Sequence, residues 1–398
     1  MLALASCSND ELTSINRDGD EIAFSVVTNS ATRAVNVYCN QNKPTSFMVW
    51  ATYSNATYIN GDKIVKDGSK WVNESGTRYW PEDEVTFYAH VNAGEAFQWN
   101  DGNQPTIADF EVKQNVAEQK DLLYAVKKAS KSDGQASLTF RHALSQIVFQ
   151  AKNTNPNLYV EISGVSVCKV KSKGTFAYPQ NDTDNNIEEH SGKGTISNNG
   201  SWGQWGSDNM SDAQTYSVEF NTVELVGNKE ATATSLTNTN ETGKAWNNVM
   251  LLLPQKNNAW PVTGDNVVAD PGSDSQTGTY FLVKCQIWNV ADASKGKQDS
   301  DHCLWYGTDD DENQIATDVA IPVKIDWEQG KKYIYTFVFG DGNGGYNPDP
   351  DGPGPDPDPV LVPITFEVTV DDFVNATEED IEMDEPKATE GEESEGNA

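Results

Sequence analysis

Histidine, cysteine and basic residues are all scarce in this chain, and each shortage removes a class of function. Only four histidines occur, His90, His142, His190 and His302, and none has a metal partner four positions on. Besides Cys7 the cysteines are Cys39, Cys168, Cys285 and Cys303, widely scattered and without CxxC spacing, which argues against a zinc site. Lys and Arg number 28 against 60 Asp and Glu, a formal charge of -32, so the chain repels nucleic acid and anionic lipid. No apolar run approaches the roughly 18 residues that a membrane-spanning helix needs. The G-x-S-x-G, HExxH, P-loop and Rossmann glycine patterns are missing too, so the chemistry they carry has no foothold. Carboxylates are so abundant that any glycosidase-type pair is uninformative. The acidic runs Asp309-Asp310-Asp311-Glu312 and Asp182-Thr183-Asp184 lack EF-hand spacing and read as solvated loops. No metal, no cofactor and no catalytic residue is expected.

What is present points to a displayed, all-β protein. Hydrophobic residues make up 37%, with 11 Trp, 14 Tyr and 14 Phe, and Thr, Asn and Gly are common. Aromatic and β-branched side chains suit pleated surfaces. Short β-like runs cut by turn clusters recur at the spacing of a sandwich, among them Phe47 to Tyr53, Val85 to Val91, Ser137 to Phe140 and Gln146 to Phe149. Only Asp121 to Lys128 looks helical. A second series of strands includes Tyr159 to Val170, Val249 to Leu253, Tyr280 to Trp288 and Tyr333 to Phe339. A polar insert over 181–211 is expected to form long surface loops. Cys285 and Cys303 either form a bridge in an oxidising compartment or are buried free thiols.

The termini carry the more specific signals. Leu4-Ala5-Ser6-Cys7 matches a bacterial lipobox, in which small residues admit the signal peptidase and the Cys thiol takes the lipid. The apolar stretch before Cys7 is short and has no basic residue ahead of it, so 1–7 reads as a truncated lipoprotein signal. Residues 8–33 read as a tether plus a strand in which Ile22, Phe24 and Val26 face one way. Thr32-Arg33-Ala34 follows, a lone Arg open to a trypsin-like protease. The division continues as an N-terminal β-sandwich at 34–152, a C-terminal β-sandwich at 153–340 and a Gly/Pro/Asp linker at 341–359. A strand at 360–374 then places Ile364, Phe366, Val368 and Val370 on one face. It either folds back on its own domain or adds to another molecule's sheet. Residues 375–398 read as a disordered acidic tail.

Five stretches in order resemble the fimbrillin family of Bacteroides-type bacteria. Trp71 to Pro81 (WVNESGTRYWP), with Val85 to Ala89 after it, resembles the family's "W…YWP…F.AY". Gln119 to Ala125 resembles "Q.DLL.A", and Leu138 to Ile147 resembles "L.F.HALSKI" with Gln146 where Lys is usual. Leu252 to Gln255 and Ile325 to Tyr333 resemble "L.PQ" and "W..G..Y.Y". The resemblance implies two tandem transthyretin-like β-sandwich domains in a type V fimbrial subunit. It also implies lipidation at Cys7, cleavage between Arg33 and Ala34 by an Arg-specific protease, and displacement of the strand holding Ile22, Phe24 and Val26. The vacated groove would then accept a donor strand such as Ile364, Phe366, Val368 and Val370 of a neighbour. Expected partners are other fimbrial subunits, that protease, the outer membrane through the lipid anchor, and a surface glycan or protein. The competing reading is a non-assembling outer-membrane lipoprotein that binds glycans through Trp202, Trp205, Trp246 and Trp260.

Overall fold

The computed structural model describes residues 20–28, 44–99, 104–183, 203–206, 210–236, 249–260, 262–263, 266–267, 278–340, 345–346 and 364–372. Strands of four or more residues dominate them: β1 Ala23–Thr28, β2 Ser46–Tyr53, β3 Ala56–Asp67, β4 Lys70–Asn73, β5 Val85–Val91, β6 Thr106–Glu111, β7 Leu123–Ala129 and β8 Gln135–His142. The series continues with β9 Ser145–Asn153, β10 Leu158–Ala177, β11 Ser211–Val226, β12 Tyr280–Asn289, β13 His302–Trp305, β14 Thr317–Pro322, β15 Lys331–Phe339 and β16 Ile364–Asp372. The helical segments among the described residues are 3-10 turns of three residues each. The protein is all-β, as its composition leads one to expect.

Three sheets organise these strands. The first has seven strands in the order β1-β8-β7-β5-β2-β3-β4. Its β2–β3 hairpin closes through Ser54 and Asn55, both at positive φ, the geometry that matches the right-handed twist of the paired strands. The second joins β9, β15 and β16, with β9 and β15 in parallel register from Gln146–Lys332 to Asn153–Phe339. The third is built on the long strand β10, flanked by β11, β12 and β6, with β13 and β14 on β12. β9 starts three residues after β8 ends, yet it pairs with β15 rather than within the first sheet.

The second and third sheets pack face to face as a sandwich. Phe149 and Phe337 from one meet Phe281 from the other at ring-centroid separations of 5.6 Å. A separate core lies on one face of the first sheet, where Phe24, Phe47, Val49, Phe87, Leu123, Leu138 and Phe140 are buried together. The other face of that sheet, through Tyr124 and Val126, belongs to the larger core.

One expectation is overturned, one alternative left open by the sequence is decided, and one expectation is modified. Asp121 to Lys128 is not helical. Leu123–Ala129 is a central strand covered on both faces, so its buried run shows none of the alternation that marks a half-exposed strand. Cys285 and Cys303 are free, because the register sets Cys303 opposite Trp288 and Cys285 opposite Thr317. Finally, Thr183 and Gly203 of the 181–211 insert reach into the core, while Asn181 and Gln204 are exposed as expected of a surface segment. Thr183 is fully buried, with its Oγ1 donating to Thr139 O at 2.6 Å, and Gly203 N donates to the Tyr124 hydroxyl at 3.1 Å. A Cβ at Gly203 would overlap the Phe176 ring, so only glycine fits there.

Candidate functional site

The first and last strands of the seven-stranded sheet, β1 and β4, face each other without sharing a ladder. β1 runs parallel to β8, pairing Ala23 with Gln135 through Thr28 with Phe140. Among the described residues its other edge is paired only at its start. There Ile22 N donates to Arg78 O at 2.8 Å, Trp80 N donates to Asp20 O at 2.9 Å, and Glu21 bridges Tyr79. Beyond that latch the two strands border a groove of about 740 Å³, lined by Ile22 to Val26 on one wall and Lys70 to Asn73 on the other.

Alternation along β1 sends Ile22 and Phe24 into the core, with Val26 packed against it. Phe24 meets Phe47 and Phe87 edge to face, at 5.8 and 5.7 Å. Burying each such side chain stabilises the fold by about 1.5–3 kcal/mol. β1 is thus firmly packed by its side chains, although a single parallel ladder holds most of its backbone, and parallel pairing is slightly the weaker kind.

The latch is positioned by a buried carboxylate. Asp62 on β3 is 2% exposed and accepts two hydrogen bonds from Arg78, at 2.7 and 2.8 Å, and one from Asn73 at 2.7 Å. Burial alone would raise the Asp62 pKa, but the bonds from Arg78 and Asn73 outweigh it and hold the carboxyl below its ordinary value. Tyr58 adds a hydroxyl hydrogen bond to Tyr79 O at 2.5 Å. The stretch Trp71 to Pro81 therefore supplies β4, the latch carbonyl and the Trp80 ring buried against Phe87. Nothing in the sequence pattern marks Asp62. The only hint of the latch is Arg78, a lone cation inside that stretch.

The other quoted stretches are internal pins. Asp121 and His142 form a buried pair at 2.8 Å, tying Gln119–Ala125 to Leu138–Ile147. Gln255 clasps both backbone groups of Lys171, while Trp327 Nε1 donates to the Tyr335 hydroxyl at 2.9 Å.

The C-terminal strand β16 lies at the edge of the second sheet, antiparallel to β15 over nine pairs from Phe339–Ile364 to Lys331–Asp372. Its shared face is split. Ile364 is buried and Phe366 packs on Phe281 and Tyr335, whereas Val368 and Val370 are 48% and 42% exposed. The chain reaches β16 by way of Gly340, whose φ of +92° turns it away from β15, and Tyr346, which exchanges two 2.8 Å hydrogen bonds with Ala320. Cys7, Arg33, Ala34, Trp202, Trp246 and the tail 375–398 lie outside the described residues. Trp205 and Trp260 do not offer sugar-binding faces. Trp205 packs on Phe110 and Phe176 and donates to Ala143 O, and Trp260 is 2% exposed. The carboxylates of Asp182 and Asp309 are likewise engaged, the first by Lys127 at 3.2 Å and the second by backbone N–H groups of Asp311 and Asn313.

The profile of the fimbrillin-like family matches residues 19–370. No curated protein matches this sequence. Among solved structures the chain is similar to a fimbrial protein from Bacteroides vulgatus, with 13% identity and a TM-score of 0.49, over 87% of this chain and 98% of that one. It is also similar to the fimbrial anchor protein Mfa2 from Porphyromonas gingivalis, with 9% identity and a TM-score of 0.34, over 87% and 97%.

Proposed function

This chain belongs to the fimbrillin-like family, and from that premise we propose that it is a structural subunit of a cell-surface fimbria, assembled by strand exchange after proteolysis. In this reading the protein is exported as a lipoprotein through Cys7 and held at the outer membrane by its acyl chains. A protease then cuts between Arg33 and Ala34, leaving β1 attached by packing and hydrogen bonds alone. A strand from a neighbour replaces it, and Ile364, Phe366, Val368 and Val370 are the alternating set suited to that role.

The observation that carries this reading is the setting of β1. It contributes Ile22 and Phe24 to a core, is laddered on one side by β8, and precedes the lone Arg33 by a few residues. Removing such a strand would expose an apolar trough between two unpaired sheet edges, which invites pairing with another chain. Because donor and acceptor lie at different places on one molecule, repetition gives an open fibre rather than a closed ring.

Limited trypsin digestion followed by size analysis tests the reading. The chain cut at Arg33 should form a stable ladder of oligomers on concentration, and the intact chain should form none. A chain that is cut at Arg33 and still runs as a monomer at every concentration, with partner subunits added, would overturn it.

A further inference from the structure

We propose that the β1–β4 groove of the uncut subunit is a docking site for the acidic C-terminal segment, residues 364–398, of a second copy of this chain. The proposal rests on the strand-exchange reading and adds to it a step that precedes loss of β1.

Charge is the first argument. The groove is lined by Lys66, Lys70 and Arg78, with Glu21 the one carboxylate in its lining. Arg78 is engaged by Asp62, whereas Lys66 and Lys70 are exposed and make no ion pair with a described residue. Such a cluster stands out on a chain of charge -32. The proposed occupant is its complement. The strand Ile364–Asp372 carries Glu367, Asp371 and Asp372, and residues 375–398 add ten carboxylates against the single Lys387.

Shape is the second argument. β1 and β4 approach within 8 Å, Cα to Cα, without forming a ladder. Neighbouring strands in a ladder sit about 4.8 Å apart, so where β1 and β4 come within 8 Å there is no room for a further strand between them. At those positions an entering strand must lift β1 away as it pairs. The latch at Arg78 closes one end of the groove, and the β3–β4 turn with Lys66 and Lys70 lies at the other. Entry from the lysine end places the newcomer beside the end of β1 that leads to Arg33. Val72 on the β4 wall is 44% exposed and offers an apolar contact to a strand whose Val368 and Val370 are themselves exposed.

The mechanism that follows is stepwise. Acidic residues of the arriving segment pair with Lys66 and Lys70, its apolar face meets Val72, and β1 peels off only where the newcomer has replaced it. The exposed core never faces water as a whole.

The test uses the full chain carrying Arg33→Ala, which cannot be cut, and a labelled peptide of residues 364–398. Saturable binding is expected, about tenfold weaker in the Lys66→Glu, Lys70→Glu double variant, since two exposed ion pairs are reversed. The same weakening is expected at 0.5 M salt, by screening, and with a peptide of residues 364–374 that lacks the tail. Both lysines are exposed, so an unchanged urea midpoint confirms that the double variant is folded. Failure of the uncut chain to bind the peptide, or equal binding by the double variant, overturns the proposal. Assembly of the cut wild-type chain is measured alongside. If it assembles while the uncut chain ignores the peptide, docking fails and strand exchange stands; if it does not assemble, strand exchange fails, and peptide binding to the uncut chain still decides docking.

Discussion

Arg78 grips Asp62 through two parallel hydrogen bonds, Nε to Oδ2 at 2.7 Å and Nη2 to Oδ1 at 2.8 Å, and its own backbone carbonyl receives Ile22 N. One residue thus connects a buried carboxylate on β3 to the chain entering β1. Bidentate Arg–carboxylate pairs fix orientation as well as adding energy, so the pair sets where the latch carbonyl points.

Asp62→Asn should weaken the latch by about 1–2 kcal/mol, the range for a charged hydrogen bond discounted because the Arg78 side chain is 40% exposed. The measurement is the rate at which the cut N-terminal peptide leaves the nicked protein, which should rise roughly tenfold. The pH dependence has a definite sign. The Asp62 pKa is depressed in the folded protein, so its contribution is complete above the ordinary carboxylate value near 4 and is lost as pH falls through the lower folded value. Peptide release should therefore accelerate in acid below about pH 4 in the wild type, and the Asp62→Asn variant should lack that component. Identical acid profiles would show that the pair does not control release.

Phe24→Ala removes the side chain that meets both Phe47 and Phe87. Truncating a buried Phe costs about 3–5 kcal/mol, and here the deficit should appear in the urea midpoint of the uncut chain. Once the chain is cut, the variant strand should leave faster and assembly should speed up. A loss of stability below about 1 kcal/mol would mean that β1 is not packed as described.

Lipidation is checked with Cys7→Ser in a precursor carrying a complete signal peptide. Acyl labelling and recovery with membranes should both vanish, since no other cysteine follows a lipobox. Membrane recovery equal to wild type would remove Cys7 from the anchoring role.

Replacing Ile364 and Phe366 together by Asp should leave trypsin cutting at Arg33 unchanged and stop the variant from donating its strand. Mixed with wild type, it should terminate chains and shorten the ladder of oligomers in proportion to its share. Because Ile364 and Phe366 also pack on the subunit's own core, the unfolding free energy should drop by a few kcal/mol and the urea midpoint should fall in parallel. Unaltered oligomer length at high variant fraction would assign donation to another segment.

Much of this architecture was legible in the residues because strands with one buried face announce themselves. Phe47 to Tyr53, Val85 to Val91 and Ile364 to Val370 alternate, and each is a strand in the structure. The strand at Leu123–Ala129 was hidden because both of its faces are covered, leaving a continuous apolar run that periodicity cannot distinguish from a helix. The burial of Gly203 within the polar insert was missed for a different reason. Its composition is that of a loop, yet its glycine is there because no larger residue fits beside Phe176.

The sequence by itself determined the β class, the alternating faces of β1 and β16, the negative charge and the family, because each of these resides in local pattern and composition. Only the tertiary structure decided which strands are neighbours. It placed β1 parallel to β8 and latched to Arg78, sent β9 to β15 across the molecule, and folded β16 back on the β15 edge. Sheet partners are chosen by contacts between residues far apart in the chain, whose side chains must share one core, and local pattern does not record who that partner is.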